Sequence, residues 1–93
     1  MPISSQGKAK VAPHVFAREF DEELVLLDLG RGEYFGLDEL GARLWNGISE
    51  GRCPREVAKE VAGDYDVDFA RLEADLTDLA NELLMRGLLE EHL

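Results

Sequence analysis

Ninety-three residues are enough for one domain and too few for two, and with 45% of them apolar a compact core can form without disulfides or metals. The formal net charge of −10 is unevenly placed: residues 1 to 18 hold Lys8, Lys10 and Arg18 and no acid, whereas residues 19 to 93 carry 20 acids against seven bases, or −13. Phosphate backbones are held by Lys and Arg through counterion release, so this acidic body argues against nucleic acid as a ligand; the lack of any run of about 18 apolar residues argues against a spanning helix.

Met1 to Lys10 is polar and unpatterned and has no apolar stretch of the secretory type, so it reads as a flexible tail of a cytoplasmic protein whose single folded domain covers residues 11 to 93. From Val11 to Phe20, the apolar residues Val11, Val15, Phe16 and Phe20 surround Pro13. Proline cannot donate to a sheet ladder, which suits an irregular edge strand. Leu24 to Leu29 is almost continuously apolar, Gly30-Arg31-Gly32 supplies turn chemistry, and Tyr34-Phe35-Gly36-Leu37 resumes with aromatic residues. This predicts a β-hairpin whose first arm is the central strand of three, covered at least in part on both faces, and whose second arm is an edge.

Three helices follow. Asp38 is placed to cap the first, where Leu40, Leu44 and Ile48 form one stripe beside Trp45, and Gly41 in the interior points to a close approach to the sheet. Cys53 reads as a cap residue for the second, with Pro54 at its first position, Glu56 in its first turn, and an end near Gly63 to Tyr65. Asp68 caps the third, Phe69 to Arg86, where Leu72, Leu76, Leu79 and Leu83 recur on one face. Gly87 ends it, and Leu88 falls where a Schellman stop folds a hydrophobic residue back onto the helix. The class is α+β: a three-stranded antiparallel sheet followed by three helices, in a winged helix-turn-helix-like arrangement.

No catalytic machinery is visible. His14 and His92 lie at opposite ends with no ligand-spaced Cys, His or Asp, Ser49 has no elbow motif or His–acid partner, and Gly30-Arg31-Gly32 lacks the spacing and the Lys-Ser/Thr end of a phosphate loop. The reading is therefore no enzyme, no metal and no cofactor.

The segment Leu26-Leu27-Asp28-Leu29-Gly30-Arg31-Gly32-Glu33-Tyr34-Phe35-Gly36-Leu37-Asp38-Glu39-Leu40-Gly41-Ala42-Arg43-Leu44-Trp45 resembles the PqqD-like family of peptide recognition elements. The C-terminal half is similar to it as well: a short helix, Asp64-Tyr65-Asp66, then a long leucine helix ending Arg86-Gly87-Leu88-Leu89, so that the likeness covers Val11 to Leu89. The resemblance implies a three-stranded sheet on three helices, with a leader peptide docking antiparallel along the third strand beside the third helix. It also implies a non-catalytic peptide chaperone that presents a ribosomally made precursor to a modifying enzyme such as a radical-SAM enzyme or to a leader peptidase. The likeness is closer to the broad group of stand-alone leader-binding subunits than to the strict pyrroloquinoline-quinone member.

The physics of a free sheet edge agrees, because its unpaired N–H and C=O groups can be satisfied by strand addition. The candidate peptide-binding residues are Glu33, Tyr34, Phe35, Gly36 and Leu37 on the strand and Asp75, Leu76, Leu79, Ala80, Leu83 and Leu84 on the helix. Tyr34 and Phe35 must point to opposite faces, one to the core and one to a groove. The helix offers two flanks, Asp75, Glu82 and Arg86 or Thr77, Ala80 and Leu84, with Arg31, Arg71 and Arg86 as candidates to meet leader acids. A free edge also leaves a homodimer open. The competing readings are a winged-helix transcriptional regulator and a small scaffold or oligomerisation domain. Against the regulator, Phe69 to Arg86 offers only Arg71 and Arg86 beside Glu73, Asp75, Asp78 and Glu82.

Overall fold

The computed structural model describes residues 2–21 and 23–92. Met1 and Leu93, at the ends of the expected tail and body, and Glu22 lie outside them. The elements in chain order are β1 (Ala9–Val11), β2 (Val15–Phe20), β3 (Glu23–Asp28), β4 (Glu33–Leu37), α1 (Glu39–Ser49), α2 (Pro54–Asp64), α3 (Phe69–Met85) and β5 (Leu89–Glu91). The larger sheet is antiparallel in the order β2-β3-β4, and β1 and β5 form a separate two-stranded ladder. The α+β class, the central hairpin arm and the three helices stand where the sequence puts them.

The first strand differs from its expectation. Val11 to Phe20 is not one irregular edge but two strands broken around Pro13: Ala12 N–H donates to Leu88 O (3.2 Å), and Val15 N–H turns back to Ala12 O (3.1 Å). Pro13, having no N–H, is placed where no ladder bond is needed. Ordered structure also begins earlier than Val11. Lys10 sits opposite Glu90 in the β1–β5 ladder, and the segment before it is tied down by Ile3 N–H to Asn81 Oδ1 (2.7 Å) and Arg55 N–H to Ser5 O (2.8 Å). What the composition hid is that β5 waits after Gly87 to pair with this segment.

The core lies between the inner face of the larger sheet and the helices. Leu24, Leu26 and Leu37 from the strands meet Leu44, Trp45 and Ile48 of α1, with Val57, Ala58 and Val61 of α2 and Leu72, Leu76, Ala80 and Leu83 of α3 closing it. Alternation along β3 buries Leu24, Leu26 and Asp28 and leaves Val25 and Leu27 half-buried. The expectation that both faces of this strand are covered at least in part holds, unequally: the inner face packs on the helices, and on the outer face Val25 and Leu27 are half-buried between their cross-strand neighbours.

Helix ends follow the capping chemistry. Asp38 Oδ1 accepts from Gly41 N–H (2.8 Å), and a Cβ on Gly41 would meet Leu37 at 3.1–3.2 Å, the close approach to the sheet that the glycine signalled. At the end of α3, Gly87 adopts φ 76°, Leu88 N–H reaches Leu83 O (3.0 Å) and Gly87 N–H reaches Leu84 O (3.1 Å), the complete Schellman pair. Before α2, Glu56 accepts from Cys53 N–H (3.0 Å). That backbone hydrogen bond, first among its causes, holds the Glu56 carboxyl below its ordinary value of about 4.5. A lowered folded-state value adds stability above the unfolded-state value and loses it as pH falls through the folded one. On acidification below about pH 4.5, the thermal midpoint of Glu56→Gln should therefore fall less steeply than that of the wild type, measured by circular dichroism.

Gly47 was not legible as a packing residue. Its Cβ would stand 2.4 Å from Val57 Cγ2, so α1 and α2 cross where no side chain fits. In an open helix Gly→Ala gains about 1 kcal/mol. Here Gly47→Ala should destabilise instead, because forcing a methyl into a packed crossing costs roughly 1–3 kcal/mol. A lowered denaturant midpoint with an unchanged slope is the expected readout.

Candidate functional site

β4 pairs with β3 on one side, Leu24 opposite Leu37 through Asp28 opposite Glu33, and its other edge carries no strand among the described residues. α3 runs past that edge without packing its backbone against it. The gap is a groove formed by two hollows that share Phe35. One is lined by Glu23, Phe35, Gly36, Leu37, Asp38 and Leu79, the other by Asp28, Arg31, Glu33, Tyr34, Phe35, Arg86 and Leu88.

Each wall has a local cause. The hairpin tip is held by Asp28, whose buried carboxylate (3% exposed) accepts from Gly30 N–H (3.0 Å) and Arg31 N–H (3.1 Å), while Gly32 N–H closes onto Asp28 O (2.8 Å). His14 Nε2 stands 3.7 Å from the same carboxylate. This turn sets Arg31 at one end of the groove. Phe35 is half-buried, packed on the core from the inner face of the sheet, and the Arg86 guanidinium lies over its ring at 4.7 Å from the centroid. That separation is within cation–π range. Arg86 is also steadied by Glu82, Nε to Oε2 at 3.5 Å.

Leu79, Glu82 and Arg86 succeed one another on one side of α3, so the flank with Asp75, Glu82 and Arg86 is the one turned toward β4. Charge is graded along the groove, from a mixed end where Arg31 and Arg86 stand with Asp28 and Glu33 to a purely acidic end with Glu23 and Asp38 beside Leu37.

Of the residues singled out in the sequence, the structure brings together Glu33, Tyr34, Phe35, Gly36, Leu37 and Leu79. Leu76, Ala80 and Leu83 do not line the groove; at 0–1% exposure they are core, beneath it. Leu84 lies on the opposite flank, in a hollow with Pro2, Asn81, Met85, Leu89, Glu90 and Glu91. Asp75 is exposed on α3 and lines neither hollow. Glu23, Asp28, Asp38 and Leu88 were missed as lining residues. Arg86 was legible only as a charge, although its place seven residues after Leu79 puts both on one helical side. No group of three or more His, Cys, Asp or Glu side chains is arranged to hold a metal among the described residues. No helix there is long and apolar enough to cross a membrane.

Two solved structures share this architecture. "TbiB1 in Complex with the TbiA(beta) Leader Peptide" matches with a TM-score of 0.82 at 38% identity, over 90% of this chain and 98% of that one. "Lasso peptide synthetase B1 complexed with the leader peptide" matches with a TM-score of 0.82 at 27% identity, over 88% and 96%. No curated protein sequence matches the chain. The family described as Coenzyme PQQ synthesis protein D (PqqD) matches residues 23–89, from the start of β3 to the start of β5. With most of its length inside that match and its fold shared by both structures, the chain belongs to the PqqD family.

Proposed function

We propose that this chain is a non-catalytic carrier for the leader segment of a ribosomally made precursor peptide, which it presents to a separate modifying enzyme or leader peptidase. The observation that carries the reading is the open groove at the β4 edge, floored by Phe35 and Leu79, in a chain similar across nearly its whole length to proteins solved with leader peptides. An extended leader adds its own backbone to β4 and seats alternate side chains against Phe35 and Leu79. Holding the leader raises the effective concentration of the remaining precursor at the enzyme, with no chemistry by the carrier itself.

The charge gradient sets a direction. A leader lying antiparallel to β4 has its N-terminal part beside Glu23 and Asp38 and its C-terminal part beside Arg31 and Arg86. A leader that carries a base before its apolar anchor fits this gradient, and one with an acid there meets Glu23 and Asp38 as like charges. Binding of the leader encoded beside this chain's gene, followed by fluorescence anisotropy, should give a dissociation constant near about 1 μM, or about −8 kcal/mol. Amide exchange protection should concentrate in Glu33 to Leu37; protection confined to β2 or α2 would remove the assignment. Duplex DNA should give no gel shift at physiological salt, since α3 turns Asp75, Asp78 and Glu82 to solvent and opposes counterion release.

A further inference from the structure

The segment before β1 has the composition of a loose tail and folds as a strap across the helices. Along residues 2–8, Ile3, Ser5 and Gly7 are half-buried, while Pro2, Ser4, Gln6 and Lys8 are exposed. Ile3 packs against the core, and one side chain clasps both of its backbone polar groups: Ile3 N–H donates to Asn81 Oδ1 (2.7 Å), and Asn81 Nδ2 donates to Ile3 O (3.1 Å). Ser5 O accepts from Arg55 N–H in the first turn of α2 (2.8 Å), and Lys8 Nζ donates to Gly51 O just past the end of α1 (3.0 Å). Between these anchors Gly7 N–H closes a turn onto Ser4 O (3.0 Å), so tightly that a Cβ on Gly7 would stand 2.7 Å from Ile3 Cβ.

We propose that this strap, acting through Asn81, is a positioning element for peptide binding: it holds α3 from behind at the distance from β4 that an extended leader needs. The proposal rests on the carrier reading above and adds a determinant outside the groove. Asn81 follows Leu79 by two residues, about 200° around the helix, so the clasp grips the side of α3 turned away from the groove. α3 packs chiefly on α2, β5 and α1, whereas β4 packs on β3 and α1. No ladder joins the two walls of the groove, and their spacing depends on what grips α3 elsewhere. The strap bonds α3 and the first turn of α2 to one stretch of chain, and so locks together the two helices whose packing decides where Leu79 and Arg86 stand.

A peptide that adds to β4 makes its backbone bonds and its contacts with α3 together only while both walls stay in place. A wall that drifts must be ordered on binding, and that ordering lowers affinity. Charge favours the seat of the strap, since residues 1 to 18 hold three bases and no acid and lie on a body of opposite sign. Lys8 meets a carbonyl at the end of α1, where the helix dipole favours a cation.

The test uses the full chain, the leader encoded beside its gene, and two strap variants: Asn81→Ala, and a chain lacking residues 2–6. Alanine favours a helix and the deletion leaves β1 in place, so both should remain folded by circular dichroism at room temperature. Both should bind the leader about tenfold more weakly, chiefly through faster dissociation. In the free protein, their amide exchange should quicken across residues 79–88 and match the wild type across β3. Gly47→Ala is the control for stability alone: it strains the crossing of α1 and α2, yet its leader affinity should stay within about twofold. Undiminished leader affinity in both strap variants overturns the proposal. So does unchanged exchange of α3 in both, or a loss of affinity in Gly47→Ala equal to theirs, which would make the effect one of stability. A wild-type chain that binds no leader would instead remove the carrier reading, and quickened α3 exchange in the strap variants would leave the tether standing.

Discussion

Leu79→Asp should weaken leader binding about 100-fold or more while leaving the protein folded. Leu79 is half-buried on the side of α3 that faces β4 and shares a hollow with Phe35, Gly36 and Leu37. In the free protein Leu79 also packs against the core, so the aspartate costs some stability, but it keeps water on one side and the fold is retained. Once a peptide covers it, the carboxylate loses that water beside Glu23 and Asp38, which offer no counter-charge. The lost apolar contact is worth about 1.5–3 kcal/mol and the unpaired polar group about 1–3 kcal/mol. A total near 3 kcal/mol corresponds to roughly 100-fold.

Met85→Asp is the control. Met85 is 87% exposed and lines the hollow on the opposite flank with Leu84, so its change should leave affinity within about twofold. Arg86→Ala should fall between the two, because it removes the cation stacked on Phe35, a contact of about 0.5–2 kcal/mol. If Met85→Asp proved the more damaging variant, the peptide would lie on the other side of α3.

The helices were easier to read than the strands, for a physical reason. A helix carries its own start and stop chemistry, and Asp38, Cys53-Pro54, Asp68 and Gly87 each act at the position their side chains or backbone freedom suggested. The β1–β5 ladder pairs residues about 80 apart, Ala9 with Glu91, and no local pattern announces such a partner. β4 was legible as a free edge because its hairpin neighbour is adjacent in sequence. Which flank of α3 faces it was not. The leucine stripe fixes only the buried direction, and the tilt that brings Leu79 and Arg86 toward Phe35 while sending Leu84 away is set by packing against α2 and β5. For the same reason Leu76, Ala80 and Leu83 could be assigned to the apolar face of α3 but not separated into core and groove.

Leu26→Ala should destabilise the fold by roughly 2–5 kcal/mol, and Leu27→Ala by under about 1 kcal/mol, although the two residues are neighbours of the same type. Leu26 is 0% exposed on the inner face of the central strand, in the core with Leu37 and Leu44, so truncation leaves a cavity that the strand, hydrogen-bonded on both sides, cannot collapse to fill. Leu27 is half-buried on the outer face between Phe16 and Tyr34, where water can replace the lost methyls. Both values come from urea unfolding followed by circular dichroism, with unchanged slopes showing that the two-state comparison holds. A cost for Leu27→Ala as large as that for Leu26→Ala would mean that the outer face is packed by more than its cross-strand neighbours in the isolated chain.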